Sequence, residues 1–460
     1  MTEEIQTHFL AIVLIVSGMC LGLLISGNSD ESVSVLVAGM VTLACYSVLL
    51  REKEDRRYVL RIWGVALGLR VLVACVTYFF DLRGYIAPDY DTYDALGNIV
   101  YQSWVGLADP NDPYIVSFTS YWRSGWGMYY YVAGLYLLIG QNPFAIQLLN
   151  CVFGAAVSVL IYHIAYLVYP QRRVARMAGM ITALSPSMVI WSSQGIKESP
   201  IVLCLCLCLF LTLKLTQEFR WRLAVLLFLS LFGLYSLRHY VAYVVFCAIA
   251  TSLIVAGRHI SVQRILQGGA LVIVLGVVFA SFGGGEVADT FSLKKIQAGR
   301  EWSARASGSG YGGNVDITDT RQALLYLPLG TLYFLYAPFP WMVRNLSQLL
   351  TLPELILWWL AAPFLFKGYW FAVRRRLRSS FAICVFTLGL TMVYALYQTN
   401  AGTAHRTRVQ LLGFFVIFVS IGLELRRVAK SRERASQIAW LRQTGTLVPV
   451  HTHRYIREEH

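Results

Sequence analysis

Pro88-Asp89-Tyr90-Asp91-Thr92-Tyr93-Asp94 sets three carboxylates in one short stretch, a few residues beyond the apolar run from Tyr58 to Phe80. Acids so close to hydrocarbon are costly unless they bind or react with something. The chemistry open to them is acceptance of a proton from a weak nucleophile, or part of a cation shell. Cations stand at widely separated positions: Lys197 beside Glu198, Arg238 beside His239, Arg344, and His405, Arg406 and Arg408. Arginine gives forked hydrogen bonds to phosphate oxygens and lysine a mobile point charge, so a phosphate or pyrophosphate head group is the natural anion for the set. Singly, each cation reads equally well as a side chain snorkelling to lipid phosphate. Together with the carboxylates they point to a site, and Tyr93, Asp94 and Arg123 complete the candidates.

These residues need elements to bring them together, and composition fixes the kind. With 57% hydrophobic and 14% charged residues in 460, the chain is an all-α, multi-pass membrane bundle rather than a soluble globule. Windows of about 20 residues place spans near 8–26, 31–50, 58–80, 144–169, 175–193, 199–216, 222–237, 240–257, 265–283, 351–372, 379–397 and 407–424. That is about twelve, within a range of 11–13. The Arg and Lys clusters at 51–57, 172–176, 220–222 and 374–378 fall on alternate sides of successive spans as a cytoplasmic set should, which predicts both termini inside. The first span is too long, and too quickly followed by a second, for a cleaved leader.

Two long segments, 81–143 and 284–350, then lie outside and are expected to carry the function. The first holds Tyr121, Trp122, Trp126 and Tyr129 to Tyr131, in stretches suited to interfacial helices. In the second, the apolar stretch 324–341 reads as interfacial or re-entrant, because a further span there would reverse the side of everything after it. The expected organisation is two N-terminal helices over 1–57, a catalytic membrane module over 58–424, and a basic cytoplasmic tail over 425–460 that meets anionic lipid and not nucleic acid.

Other signals are structural. All nine cysteines fall in apolar stretches and read as small buried hydrophobes. His163 sits mid-span and reads as packing. Gly283 to Gly285 lacks the Lys-Ser or Lys-Thr of a phosphate loop, which speaks against a nucleotide-sugar donor. Arg70, near the middle of the third span, requires a buried partner that the sequence does not identify.

Asp89 with Tyr93, following a helix that contains Leu69-Arg70-Val71, resembles the first outer loop of the GT-C superfamily of integral-membrane glycosyltransferases. That group includes the protein O-mannosyltransferases and the lipid A aminoarabinose transferase. The run from Gly140 to Asn150, Ala183-Leu184-Ser185-Pro186 leading to Lys197-Glu198-Ser199-Pro200, Pro338-Phe339-Pro340-Trp341, and His405-Arg406-Thr407-Arg408 are also similar to features of the superfamily, the last two to its polysaccharide-associated branch. The resemblance spans roughly 58–424. It implies transfer of a sugar from a polyprenyl-phosphate donor to a glycan, lipid or protein acceptor outside the membrane, with inversion at the anomeric carbon, by an enzyme of the cell membrane, the bacterial inner membrane being the expected one. Asp89 is then the expected general base, with Asp91 second. Lys197, Arg238, Arg406 and Arg408 are expected on the leaving phosphate. No cofactor is required; a divalent metal on Asp89 and Asp91 stays open, and it would need His239 or His405 to join it.

Two rival readings share the helices and the cations. An O-antigen ligase or polysaccharide polymerase would work through Arg and His on a pyrophosphate. A transporter or flippase for lipid-linked sugars would place its charges near the midplane and show two related halves, and the sequence has no such repeat.

Overall fold

Backbone groups in hydrocarbon must be satisfied within their own segment, so long apolar runs fold as helices. The computed structural model describes residues 27, 29–119, 125–255, 273, 292–305, 310–313, 315–343 and 346–443. Among these the regular structure is helical: α1 (Ser29–Leu49), α2 (Arg56–Phe79), α3 (Arg83–Ile86), α4 (Asp89–Trp104), α5 (Pro113–Thr119), α6 (Trp126–Ile139), α7 (Pro143–Val168), α8 (Arg172–Leu184) and α9 (Pro186–Ser192). There follow α10 (Glu198–Gln217), α11 (Trp221–Leu237), α12 (His239–Val255), α13 (Leu293–Arg305), α14 (Thr320–Tyr336), α15 (Leu346–Arg375), α16 (Leu377–Tyr397) and α17 (Ala401–Gln443).

The chain is an all-α, polytopic membrane protein. Seven described helices are long and apolar enough to cross a bilayer, and the bent pair α8 and α9 makes an eighth. They coincide with eight of the predicted spans. The predicted spans 222–237 and 240–257 correspond to the shorter apolar helices α11 and α12, while 8–26 and nearly all of 265–283 lie outside the described residues. In the first long connector, α6 packs one face into the protein. Met128, Val132, Ala133 and Tyr136 are fully buried, because Gly97 and Gly127 carry no Cβ to hold off Val132 and Ser236.

Helix α7 is buried along most of its length, and its entry is written in the sequence. Gly140, at φ 78°, ends α6; the Asn142 side chain caps α7 by accepting from Ala145 N at 3.2 Å; Pro143 supplies the first turn. Asn142 also accepts from Ser34 Oγ at 2.6 Å, which docks α1.

The predicted span 175–193 is broken, with α8 and α9 bent by 56° at Ser185. Pro186 causes the break, since it lacks an N–H and its ring clashes with the preceding turn. The backbone groups set free are then met by side chains from other helices. Ser187 N–H donates to Glu354 Oε2 at 2.9 Å, and the Ala183 carbonyl accepts from Arg70 Nη1 at 3.2 Å.

Charged groups collect at two ends. At one, Arg176 pairs with Asp55, Arg172 with Glu54 at 3.0 Å and Arg173 with Glu424 at 3.2 Å, which gathers sets the charge bias assigned to a common side. At the other lie the starts of α4, α10 and α17. There the far half of α14 packs on the last turn of α16, where Gly330 leaves no room for a Cβ against Ala395 O and Phe334 meets Tyr394 at 5.2 Å.

Helices α15 and α17 cross at Gly368 and Gly422, each pressed on a carbonyl of the other helix, that of Phe418 and Phe364 respectively, with no space for a Cβ. Gly422→Leu should therefore separate the pair, at a cost of roughly 1–3 kcal/mol or more. It is read as a lower midpoint in detergent thermal unfolding; an unchanged midpoint would contradict the crossing.

Candidate active site

Four segment boundaries build the site, because each is a place where a helix begins or ends. Asp89 opens α4 behind Pro88. Lys197 and Glu198 open α10, Arg238 fills the one-residue break between α11 and α12, and Arg406 lies in the second turn of α17. The structure brings these five together. Arg406 Nη1 donates to Asp89 Oδ2 at 2.5 Å, and its Nε lies 2.9 Å from Glu198 Oε1. The second approach is an ion pair without hydrogen-bond alignment. Arg238 Nη2 donates to the same Glu198 oxygen at 3.1 Å, and Arg238 Nη1 to the Tyr394 hydroxyl at 3.3 Å, which donates in turn to Gln410 Oε1 at 2.8 Å.

Burial differs sharply across the cluster. The Glu198 side chain is 1% exposed and that of Arg238 5%, whereas that of Asp89 is 44% exposed. Lys197 stands beside them with its ammonium 5.8 Å from the Tyr93 ring centre, in the space left by Gly125. Three cations thus face two carboxylates, an excess of positive charge that suits an anion. Burial, with Arg238 and Arg406 nearby, lowers the Lys197 pKa from 10.5 to about 8.

Other predicted residues are engaged elsewhere. Asp91 is exposed, two positions from Asp89 and so on a different face of α4. Asp94 accepts from Tyr136 Oη and, at 3.3 Å, from Gln141 Nε2, which braces α4 against α6 and the link that follows it. His239 packs edge-on to Tyr240 at 5.8 Å. Arg408, fully enclosed, donates to the carbonyls of Phe334 at 2.9 Å and Ala337 at 2.6 Å, pinning the end of α14. His405 accepts from Trp191 Nε1 at 3.3 Å and lies 3.9 Å from Glu354. Arg123 and Arg344 lie outside the described residues.

Glu354, Tyr394, Gln410 and Trp191 were not singled out in the sequence. Glu354 left a usable signal, a lone acid in an apolar span. Besides Ser187 N it accepts from the hydroxyls of Ser185 and Ser187, both at 2.7 Å. It stands with His405 and Arg408 at the polar head of an apolar groove of about 430 Å³. The groove follows α17 to Leu423, ~27 Å at 1.5 Å per residue. Asp89 and Asp91 do not amount to a metal shell, since neither histidine joins them and no group of three or more His, Cys, Asp or Glu is clustered among the described residues.

Residues 126–282 match the family described as dolichyl-phosphate-mannose-protein mannosyltransferase. The likeness to GT-C glycosyltransferases read from the sequence is borne out by that match. It takes in Lys197, Glu198 and Arg238 but neither Asp89 nor Arg406. Among solved structures, the chain is similar to the apo oligosaccharyltransferase of Archaeoglobus fulgidus (11% identity, TM-score 0.44, 81% of this chain and 52% of that one). It is also similar to AglB, the oligosaccharyltransferase of the same archaeon, in complex with an inhibitory peptide and a dolichol-phosphate (11%, 0.48, 84% and 52%). The chain thus spans about half the length of these structures. No curated protein sequence matches it significantly.

Lys197 loses charge as pH rises through about 8, so affinity for a phosphate anion at this cluster should fall over that range, with bound anion moving the midpoint upward. Titration of binding between pH 6.5 and 9.5 checks this, and Lys197→Met should flatten the curve. An equally steep fall in the variant would mean another group titrates.

Proposed function

We propose that this GT-C-type membrane protein transfers a sugar from a polyprenyl-phosphate donor to an acceptor hydroxyl on a glycan, lipid or protein, at the extracytoplasmic face of the cell membrane. The observation that carries the reading is the Asp89–Arg406 pair. A carboxylate from an early connector, open to solvent, is bonded to a cation from the last described helix, backed by Glu198 and Arg238. The family matched over 126–282 is described by a dolichyl-phosphate-linked sugar, which agrees with a lipid phosphate as leaving group.

The chemistry follows from the charges. The donor phosphate competes with Asp89 for Arg406 and adds Lys197 and Arg238 as partners, which releases the Asp89 carboxylate toward the acceptor. As the acceptor oxygen attacks the anomeric carbon, Asp89 takes its proton, and the bond from that carbon to the phosphate oxygen breaks with its electrons on the phosphate. Fixed cations stabilise the charge that develops there. Attack opposite the leaving group inverts the anomeric centre. The apolar groove beneath Glu354 and His405 suits a long isoprenoid tail. The candidate charges lie at one end of the bundle, which favours an enzyme over an alternating-access transporter with a midplane site.

Purified protein incubated with a panel of polyprenyl-phosphate sugars should release lipid phosphate with a matching donor. Asp89→Asn should slow that turnover ~10²- to 10⁴-fold while donor binding persists. Full activity in Asp89→Asn together with its loss in His405→Ala would replace this reading with a ligase or polymerase.

A further inference from the structure

Arg70 is among the most completely buried side chains, in the body of the apolar helix α2, and it has no carboxylate within ion-pair distance among the described residues. Three of its contacts are clear. Nε donates to Ser192 Oγ at 2.7 Å, and Nη1 donates to the carbonyls of Ala66 at 2.9 Å and Ala183 at 3.2 Å. Gly154 makes room for it, since a Cβ there would come within 2.6 Å of Nε. The remaining nitrogen, Nη2, is buried without an acceptor among the described residues. Glu198 is in the complementary position: Oε1 serves both Arg406 and Arg238, and Oε2 is buried without a donor among the described residues.

Arg70 and Glu198 line the same small cavity, of about 10 Å³, with Ser192 and Ser199 on its wall. That is room for about one water molecule, and a buried water needs two to four polar partners. Nη2 offers a hydrogen and Oε2 a lone pair. The Ser199 hydroxyl, which donates to the Asn150 carbonyl at 2.7 Å, keeps lone pairs free to accept.

We infer that a single water molecule joins Arg70 to Glu198, accepting from Arg70 Nη2 and donating to Glu198 Oε2 and Ser199 Oγ, and that Arg70 is thereby a positioning residue for the Arg238–Glu198–Arg406 triad. The bridge fixes the plane of the Glu198 carboxylate, so that Oε1 stays turned toward both arginines. It also gives the buried Arg70 charge the counterion it lacks at first hand. The same guanidinium holds the Ala183 carbonyl released at the α8–α9 break, which couples the bend of the broken span to the orientation of the phosphate-binding arginines. The effect on phosphate binding rests on the function proposed above; the bridge itself does not.

A double-mutant cycle on the full chain in detergent tests both parts. Arg70→Met, Arg70→Lys, Glu198→Gln and the combination of Arg70→Met with Glu198→Gln are compared for thermal unfolding without ligand and for binding of undecaprenyl phosphate. Arg70→Met should weaken binding about ten-fold, within the coupling range of contacting residues. Arg70→Lys should recover most of that loss. In the Glu198→Gln background, Arg70→Met should change binding no further and lower the unfolding midpoint by less than it does in the wild type. Equal effects of Arg70→Met in both backgrounds, in unfolding and in binding, would overturn the bridge. If the wild type binds no undecaprenyl phosphate, the proposed function fails, and the unfolding cycle alone decides: non-additive midpoints support the bridge and additive midpoints overturn it.

Discussion

One carboxylate oxygen organises this end of the bundle. Glu198 Oε1 lies about 3 Å from two guanidinium groups whose positions in the chain are far apart, and the element carrying each is held partly by that contact. Such a triad is a poor means of adding stability, because taking its charges out of water offsets most of the Coulomb attraction. Removing the shared carboxylate is another matter, since it would leave Arg238 and Arg406 buried side by side at a cost of roughly 3–5 kcal/mol. A bundle of this size could be packed with apolar residues at these positions. Retaining the triad makes sense where the two arginines must be held close together for an anion.

The broken span explains how Glu198 arrives there. A straight helix through 175–193 would leave Trp191 and the approach to Lys197 in line with α8, whereas the bend at Ser185 turns them back under α17. The break persists because two helices fill it, α15 through Glu354 and α2 through Arg70. Arg70 is fully buried there and Glu354 partly so, and both also touch the surroundings of the site, Glu354 beside His405 and Arg70 beside the Glu198 cavity. Backbone satisfaction and site geometry are therefore one problem in this fold, as expected where irregular structure lies at membrane depth.

Much of this was legible in the amino-acid sequence, and for a definite reason. Hydrocarbon makes charge expensive, so Asp89, Lys197, Glu198, Arg238 and Arg406 stood out at the ends of apolar stretches, and the starts and stops of the long helices followed from hydropathy. Phase was less legible. Arg406 and Arg408 look equivalent in sequence, yet two residues turn a helix by about 200°, so one enters the cluster and the other pins α14. Asp91 and Asp94 diverge from Asp89 on α4 in the same way. Pro186 carried the signal for the broken helix, but the apolar run on both sides outweighed it. The partners of Arg70 were beyond reach, since the bend both frees the Ala183 carbonyl and brings Ser192 to it.

The most direct measurement is a structure of the protein with a bound polyprenyl phosphate. Phosphate oxygens within hydrogen-bonding distance of Arg406, with Arg238 or Lys197 as a second partner and Asp89 released from its pair, are the expected result. Phosphate held instead at the opposite end of the bundle, among Arg51, Arg56 and Arg61, with the Asp89–Arg406 pair intact, would contradict a shared active centre.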